Sequence, residues 1–303
     1  MINKLKKFYK DSMVIGMSDV VVEEYYWFSS DDGTTFGIEK NQVTNKEQEL
    51  LTSLFHEVSF QENEMSEEQS AWYNFLFLNQ ETLPISQKKS NNCRFIHFHT
   101  DKPITDQRDF REAINAIFPY DVIILWENDY NGVLIDTHTE HLDDYLVSFE
   151  EITDTITSDF YVRIRFFLGQ TYSFDLSVMN DFHWEKECFK KALSYLSKQT
   201  IFRLHEVIPY LIIEQSSSPL KQKVSTTVLR DLQEDKELLE TIKVFLESNL
   251  NVSLAAKKLY MHRNSLQYRI DKFIEKTGID IKHFQGAVTT YLAIMIHDQF
   301  SDS

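Results

Sequence analysis

The sequence predicts an α+β multidomain chain in three parts: an α+β region over residues 1–90, a ferredoxin-like domain over 91–214 and an all-helical domain over 229–300. Three observations predict it. Residues 91–214 alternate strand-like and helix-like patterns in the order β-α-β-β-α-β, the split-βαβ layout. From about Leu229 onward the apolar residues recur at helical spacing. Seven Gly and five Pro in 303 residues are few, which favours helix and excludes collagenous, Gly-looped and Pro-rich architectures.

In the first region, Val20–Phe28 (VVVEEYYWF) is rich in β-branched and aromatic residues and reads as a strand. SSDDGTT reads as a turn and FGI as the returning strand of a hairpin. Thr44 and Glu47 have capping-box spacing before the periodic apolar residues Leu50, Leu51, Leu54 and Phe55. Ser66 opens a helix carrying Trp72, Phe75, Leu76 and Leu78, and LPISQKKSNN reads as a linker. The aromatics here suit core packing better than a ligand pocket.

In the middle region, CRFIHFH alternates as a strand and Thr105–Asp106 cap a helix carrying Phe110, Ala113, Ile114 and Ile117. DVIILWE is a buried strand, and NDYNG is read as a hairpin turn because Asn-Gly accepts positive φ. VLID returns, HLDDYLVSFEEITDTI is a helix and YVRIRFFLG a strand. A helix at about Trp184–Ser197 and a strand at about Ile201–Leu204 append to this unit. EQSSSPLKQ (214–222) reads as a linker, on the view that three serines and a proline neither pack nor propagate a helix.

Lys and Arg number 31 against 47 Asp and Glu, a net charge of −16. That excludes a uniformly basic nucleic-acid coat, so any DNA contact must come from a local cationic face. Two cysteines, Cys93 and Cys188, are too few for a disulfide framework and read as reduced thiols. The longest apolar run, YLAIMI at 291–296, falls far short of the ~20 residues that span a bilayer, and no apolar stretch follows the basic N-terminus. A cytoplasmic protein without membrane contact is the expectation.

The informative stretch is NVSLAAKKLYMHRNSLQYRIDKFIEKTG (251–278). Ser253 is a plausible N-cap for a short helix to about Leu259. Ala255 and Ala256 let a second helix cross closely, Tyr260–Met261–His262 form a turn, and a longer helix runs from Arg263 to about Lys276, ended by Gly278. This is a helix-turn-helix pattern. On the second helix Leu266, Ile270, Phe273 and Ile274 share one stripe, with Asn264, Ser265, Tyr268, Asp271, Lys272 and Glu275 opposite and Gln267 and Arg269 flanking. The outer face offers an amide, a hydroxyl, a phenol and cations near a helix N-terminus, groups that suit base edges and phosphates. Residues 251–276 hold six basic and two acidic side chains, a balance of +4, against −20 for the rest. An ordinary solvated helix would share much of this pattern.

The segment ELLETIKVFLESNLNVSLAAKKLYMHRNSLQYRIDKFIEKTGIDI resembles the C-terminal helix-turn-helix domain of the PucR/CdaR family of bacterial transcriptional regulators, above all in its HRNSLQYRI core. The core is similar to the helix pair of the Fis protein as well. The resemblance implies a dimeric regulator that reads a two-half-site operator in double-stranded DNA; with the standard catalytic and nucleotide motifs missing, neither enzymatic activity nor a cofactor is expected. By position it puts DNA contacts on His262, Arg263, Ser265, Gln267 and Tyr268. The wheel adds Asn264, Arg269 and Lys272, and charge adds Lys257 and Lys258. Tyr260 departs from generic helix-turn-helix domains, where a Gly often makes the turn. Residues 91–214 look like the degenerate cyclase-like (GGDEF-like) domain that often precedes this one; together with the α+β region over 1–90 it is expected to sense a small-molecule effector of unknown identity or to dimerise.

Two rival classes have sequence features of their own. A non-DNA protein-interaction module would use the same basic helix pair. A nucleotide cyclase would need metal-binding carboxylates, for which Asp101, Glu127 and Asp129 are candidates, but WENDYNGV lacks the Gly-Gly pair and acidic-acidic-Phe ending of such hairpins. His97 and His99 on one strand face, with His138 and His141, are conceivable zinc ligands, although nothing in the sequence brings the two segments together. GxSxG, HExxH, GxGxxG and phosphate-loop motifs are absent.

Overall fold

The structure, a computed structural model, describes residues 2–15, 24–30, 35–57, 65–84, 91–104, 106–138 and 148–301. The chain forms two compact units, Met1–Glu206 and Val207–Ser303.

The first unit opens with α1 (Ile2–Tyr9) and a four-stranded antiparallel sheet in the order β1-β3-β2-β4, with β1 Met13–Ile15, β2 Tyr25–Ser29, β3 Thr35–Glu39 and β4 His56–Glu57. The expected hairpin is β2 with β3, registered Tyr26 to Ile38 and Phe28 to Phe36. Residues 31–34 of its turn, and 20–23 of the expected strand, lie outside the described residues. Two helices begin where capping chemistry dictates. Thr44 Oγ1 accepts from Glu47 N and Glu47 Oε2 from Thr44 N before α2 (Asn45–Leu54); Ser66 and Gln69 repeat the exchange before α3 (Glu67–Phe77).

The second sheet has the order β6-β7-β5-β8-β9. Its strands are β5 (Asn92–Thr100), β6 (Ile123–Trp126), β7 (Asn131–Asp136), β8 (Ile164–Ser173) and β9 (Ile201–Arg203). β5 lies between β7 and β8, antiparallel to both; β6 flanks β7 antiparallel and β9 joins β8 in parallel. The connecting helices are α4 (Gln107–Ile117), α5 (Phe149–Phe160) and α6 (Val178–Tyr195). Asp106 caps α4 through its Oδ1; Thr105 and residues 139–147 lie outside the described residues. Strand alternation sorts the two faces. Ile96, Phe98, Leu134, Ile164 and Phe166 pack under α4 and α5, whereas Phe95, Val133 and Ile135 pack with Trp72 of α3 and Phe182 of α6.

The sequence reading needs four local corrections. The β6–β7 turn is not built on Asn-Gly: Asn131 and Gly132 already belong to β7, and neither has positive φ. Asn128 Oδ1 closes the turn instead by accepting from the N–H groups of Tyr130 and Asn131 at 3.0 Å. α6 starts at Val178, six residues before the expected Trp184, once Asp175 Oδ1 has accepted from Ser177 N at 2.7 Å. Residues 214–222 are not an extended linker. α7 (Leu204–Gln215) runs into them and α8 (Ser218–Leu229) starts within them, because Pro219 sits in the first turn, where its missing N–H costs nothing. The fourth, a misplaced helix cap, lies in the second unit.

The second unit is helical: α7 from Val207 on, α8, a 3-10 turn at Arg230–Leu232, then α9 (Lys236–Glu247), α10 (Val252–Lys258), α11 (Arg263–Thr277) and α12 (Phe284–Ser301). Its core joins Leu238, Leu239, Ile242 and Phe245 of α9 to Leu266, Ile270 and Phe273 of α11, with Ile281, Ala293 and Ile294. No helix among the described residues is long and apolar enough to cross a membrane.

Candidate nucleic-acid interface

The site is α10 and α11 with the turn between them. α10 is capped by Asn251, whose Oδ1 accepts from Leu254 N at 3.0 Å, rather than by Ser253, which falls inside the helix. Asn is as good a cap as Ser, and its position decides. Ala255 and Ala256 are buried against α11, as their small size requires. Lys257 and Lys258 close α10 with exposed side chains.

The turn is a Schellman motif with tyrosine where glycine is usual. Tyr260 N donates to Lys257 O at 3.2 Å and Met261 N to Ala256 O at 3.0 Å. Tyr260 takes the left-handed φ of +51° that this geometry demands, and its side chain is 98% exposed. His262 then caps α11: its Nδ1 accepts from Asn264 N at 3.3 Å. A neutral ring accepting at Nδ1 carries its hydrogen on Nε2, a donor. At the other end Gly278, φ +73°, stops the helix and donates its N–H to Ile274 O at 2.8 Å.

α11 has the two faces its sequence foretells. Leu266, Ile270 and Phe273 are fully buried; Arg263, Asn264, Ser265 and Tyr268 are exposed over its first turns. Three of the candidate contacts are committed to neighbours. Gln267 Nε2 donates to Asp271 Oδ1 at 3.0 Å, and Lys282 Nζ donates to the same oxygen at 2.9 Å, holding the Asp271 carboxyl below the usual carboxylate range. Arg269 Nη1 donates to Thr241 Oγ1 at 2.9 Å and its Nη2 to Glu237 Oε1 at 2.5 Å. Lys272 Nζ lies 3.6 Å from Asp235 Oδ2. Asp235, Glu237 and Thr241 of the α9 segment are thus part of the site, although sequence reasoning passed them by. Asp235 had a detectable signal, a carboxylate three residues before Leu238 at the head of an apolar-periodic run; its Oδ1 caps α9 through Leu238 N. Nothing in the sequence announced the pairing of residues 28 and 32 apart.

The rival sites look different. Asp101 Oδ1 accepts from Arg163 N at 2.8 Å, and Glu127 pairs with Lys186. His99 Nδ1 meets Asn131 Oδ1 at 2.9 Å, and burial pushes its pKa down. His97 faces Glu185, His138 stacks on Tyr120 at 4.2 Å between ring centroids, and His141 lies outside the described residues. Among the described residues no three His, Cys, Asp or Glu side chains gather as a metal site. Cys93 and Cys188 are buried free thiols.

Comparison with known proteins fits this geometry. Residues 238–296 match the model of the PucR C-terminal helix-turn-helix domain. The chain is 34% identical over 268 residues to the uncharacterized protein YxkF of Bacillus subtilis (strain 168), covering 88% of each. It is 24% identical to the same organism's proline-responsive transcriptional activator PutR, over 63% of this chain and 58% of that protein. It is 24% identical to the purine catabolism regulatory protein of that organism, over 71% of this chain and 42% of the relative. With a helix pair in the matched segment and a relative aligned over most of both lengths, the chain belongs to the PucR-type family of helix-turn-helix proteins.

Proposed function

We propose that the protein is a cytoplasmic, sequence-specific transcriptional regulator that binds double-stranded DNA as a homodimer. α11 enters the major groove, and the two copies read half-sites about 34 Å apart, one turn of the duplex. The observation that carries this reading is the division of α11: Leu266, Ile270 and Phe273 pin its back, while Arg263, Asn264, Ser265 and Tyr268 stand exposed in front. Asn264, Ser265 and Tyr268 read bases, joined by Gln267 when it leaves Asp271. Lys257, Lys258, Arg263 and the outer nitrogen of His262 meet phosphates. Arg269 and Lys272 reach phosphate only by releasing Glu237 and Asp235.

The functional parts are residues 1–90, 91–214 and 229–300. We read 91–214 as a ferredoxin-like, degenerate GGDEF-like domain that takes a small-molecule effector or dimerises. Its support is the β6-β7-β5-β8 order, with each neighbouring pair antiparallel. No cofactor and no catalysis enter this reading. It rests as well on the similarity to PutR and the purine catabolism regulatory protein, one named as a transcriptional activator and the other as a regulator.

The test is fluorescence anisotropy of labelled duplex against salt, followed by sequencing of genomic fragments pulled down by the full chain. Recovery of fragments sharing paired half-sites supports the reading. Failure to bind any duplex at low salt removes it and leaves a protein-interaction role for the helix pair.

A further inference from the structure

The flank of α11 carries more than cations. Asp235 and Glu237, at the start of α9, sit beside it, and the open groove between them, about 560 Å³, is lined by Asn264, Ser265 and Tyr268 on the α11 side. Glu237 is held to Arg269, and Arg269 is held a second time by Thr241, itself only 2% exposed and donating its hydroxyl to Glu237 O at 2.7 Å. The Glu237 side chain is 78% exposed, so the pair contributes little to folding. An exposed carboxylate kept beside base-reading groups therefore calls for an explanation in binding.

Non-specific affinity scales with the cations available to phosphate, each adding about 0.9 to the slope of log K against log salt. Lys257, Lys258 and Arg263 have no ion pair among the described residues. Arg269 is neutralised by Glu237, and Lys272 is shared with Asp235. The paired carboxylates also lie within a Debye length of any backbone that follows α11 and repel it. Both effects weaken sequence-blind attraction and leave the hydrogen-bonding groups of Asn264, Ser265 and Tyr268 untouched.

We propose that Glu237 is a specificity-determining residue of the DNA face: paired with Arg269 beside the base-reading groups, it suppresses binding to unmatched duplex. Asp235 acts the same way through Lys272, more weakly, because that pair is longer. The inference rests on the reading that α11 meets DNA.

The experiment compares wild-type full chain with Glu237→Gln, which keeps an oxygen for Arg269 and removes the charge. Two probes are used: a random-sequence duplex, and a duplex selected by wild-type protein from a random library. Glu237→Gln binds the random duplex roughly three- to tenfold tighter near 0.1 M salt, with a salt slope steeper by about 0.9, and its preference for the selected duplex falls by a similar factor. Adding Arg269→Ala removes the gain. If Glu237→Gln changes neither random-duplex affinity nor slope while wild type binds DNA, this inference falls and the DNA reading stands. If wild type binds neither duplex, both fall. Should Glu237→Gln lower the melting temperature, Asp235→Asn, which preserves the α9 cap, is read instead; it gives a smaller shift in the same direction, and no shift overturns the inference.

Discussion

His97 Nε2 and Glu185 Oε2 face each other at 3.6 Å inside the first unit, and neither atom has a hydrogen-bond partner. Glu185 is fully buried, and its other oxygen takes two donors: Gln170 N at 2.6 Å and Tyr172 Oη at 2.7 Å. The reason is a break in register between β5 and β8, where Arg94 opposes Thr171 but Ile96 opposes Leu168. The irregularity frees the Gln170 amide from the ladder, and Glu185 of α6 satisfies it. A side chain at Gly169 would meet Glu185 Oε2 at 2.0 Å and Phe95 O at 2.5 Å, so glycine is required there.

Glu185→Ala removes the acceptor of two part-buried donors, the Gln170 amide and the Tyr172 hydroxyl. Water can reach these donors in part, so the loss falls toward the low end of about 1–3 kcal/mol for each unsatisfied group, roughly 2–3 kcal/mol in all. Glu185→Gln retains an acceptor and loses less. Urea unfolding of both variants checks this, and an equal loss in the two would show that the hydrogen bonds are not what matters.

Tyr260→Gly relieves a left-handed residue that costs about 1–2 kcal/mol, against an unfolded-chain entropy penalty of about 0.5–1 kcal/mol for glycine. The side chain is exposed, so little contact is lost. A net gain of about 0.5 kcal/mol is expected from these two figures, seen as a higher unfolding midpoint. A lower midpoint would refute the strain argument.

Leu266→Ala cuts into the core beneath α11. A fully buried leucine replaced by alanine costs about 2–5 kcal/mol. Circular dichroism should show early melting of helix, and DNA binding should vanish at the same temperature. Binding that survives that melting would contradict the role of the buried stripe.

Arg263→Ala and Ser265→Ala separate positioning from reading. The first weakens all duplexes alike and reduces the salt slope by about 0.9. The second leaves the slope alone and changes the ranking of sequences. Were Ser265→Ala to weaken every sequence equally, Ser265 would not be a reader.

Cys93 and Cys188 are pushed up to about 12, first by burial and then by the charge of Glu185. Their thiols stay protonated in the fold, whereas an unfolded thiol ionises near pH 8.5. Between those values the unfolded state holds fewer protons, so their contribution to stability is present below that window and lost as pH rises through it. Iodoacetamide at pH 8 should label the native thiols at least a hundredfold more slowly than urea-unfolded ones, since thiolate is the reactive form. Similar rates would refute it.

What the sequence revealed was local. The Thr44 and Ser66 capping boxes, the α11 stripe and the Gly278 stop depend on residues within a turn of one another. The errors arose where a local cue met a better-placed rival. Asn-Gly lost the β6–β7 turn to Asn128, Ser253 lost the cap to Asn251, and Pro219 began a helix instead of preventing one. The carboxylates on the flank of α11 were invisible for another reason: only folding brings Glu237 to Arg269.

β5 is hydrogen-bonded along both edges, yet β8, one of its two neighbours, begins 72 residues after β5 does. A chain cut short before Ile164 leaves one whole rim of β5 bare, with its amides and carbonyls open to the same rim on another fragment. Premature stops or proteolysis in that interval therefore yield material prone to aggregate, so the first unit tolerates truncation poorly across its own middle.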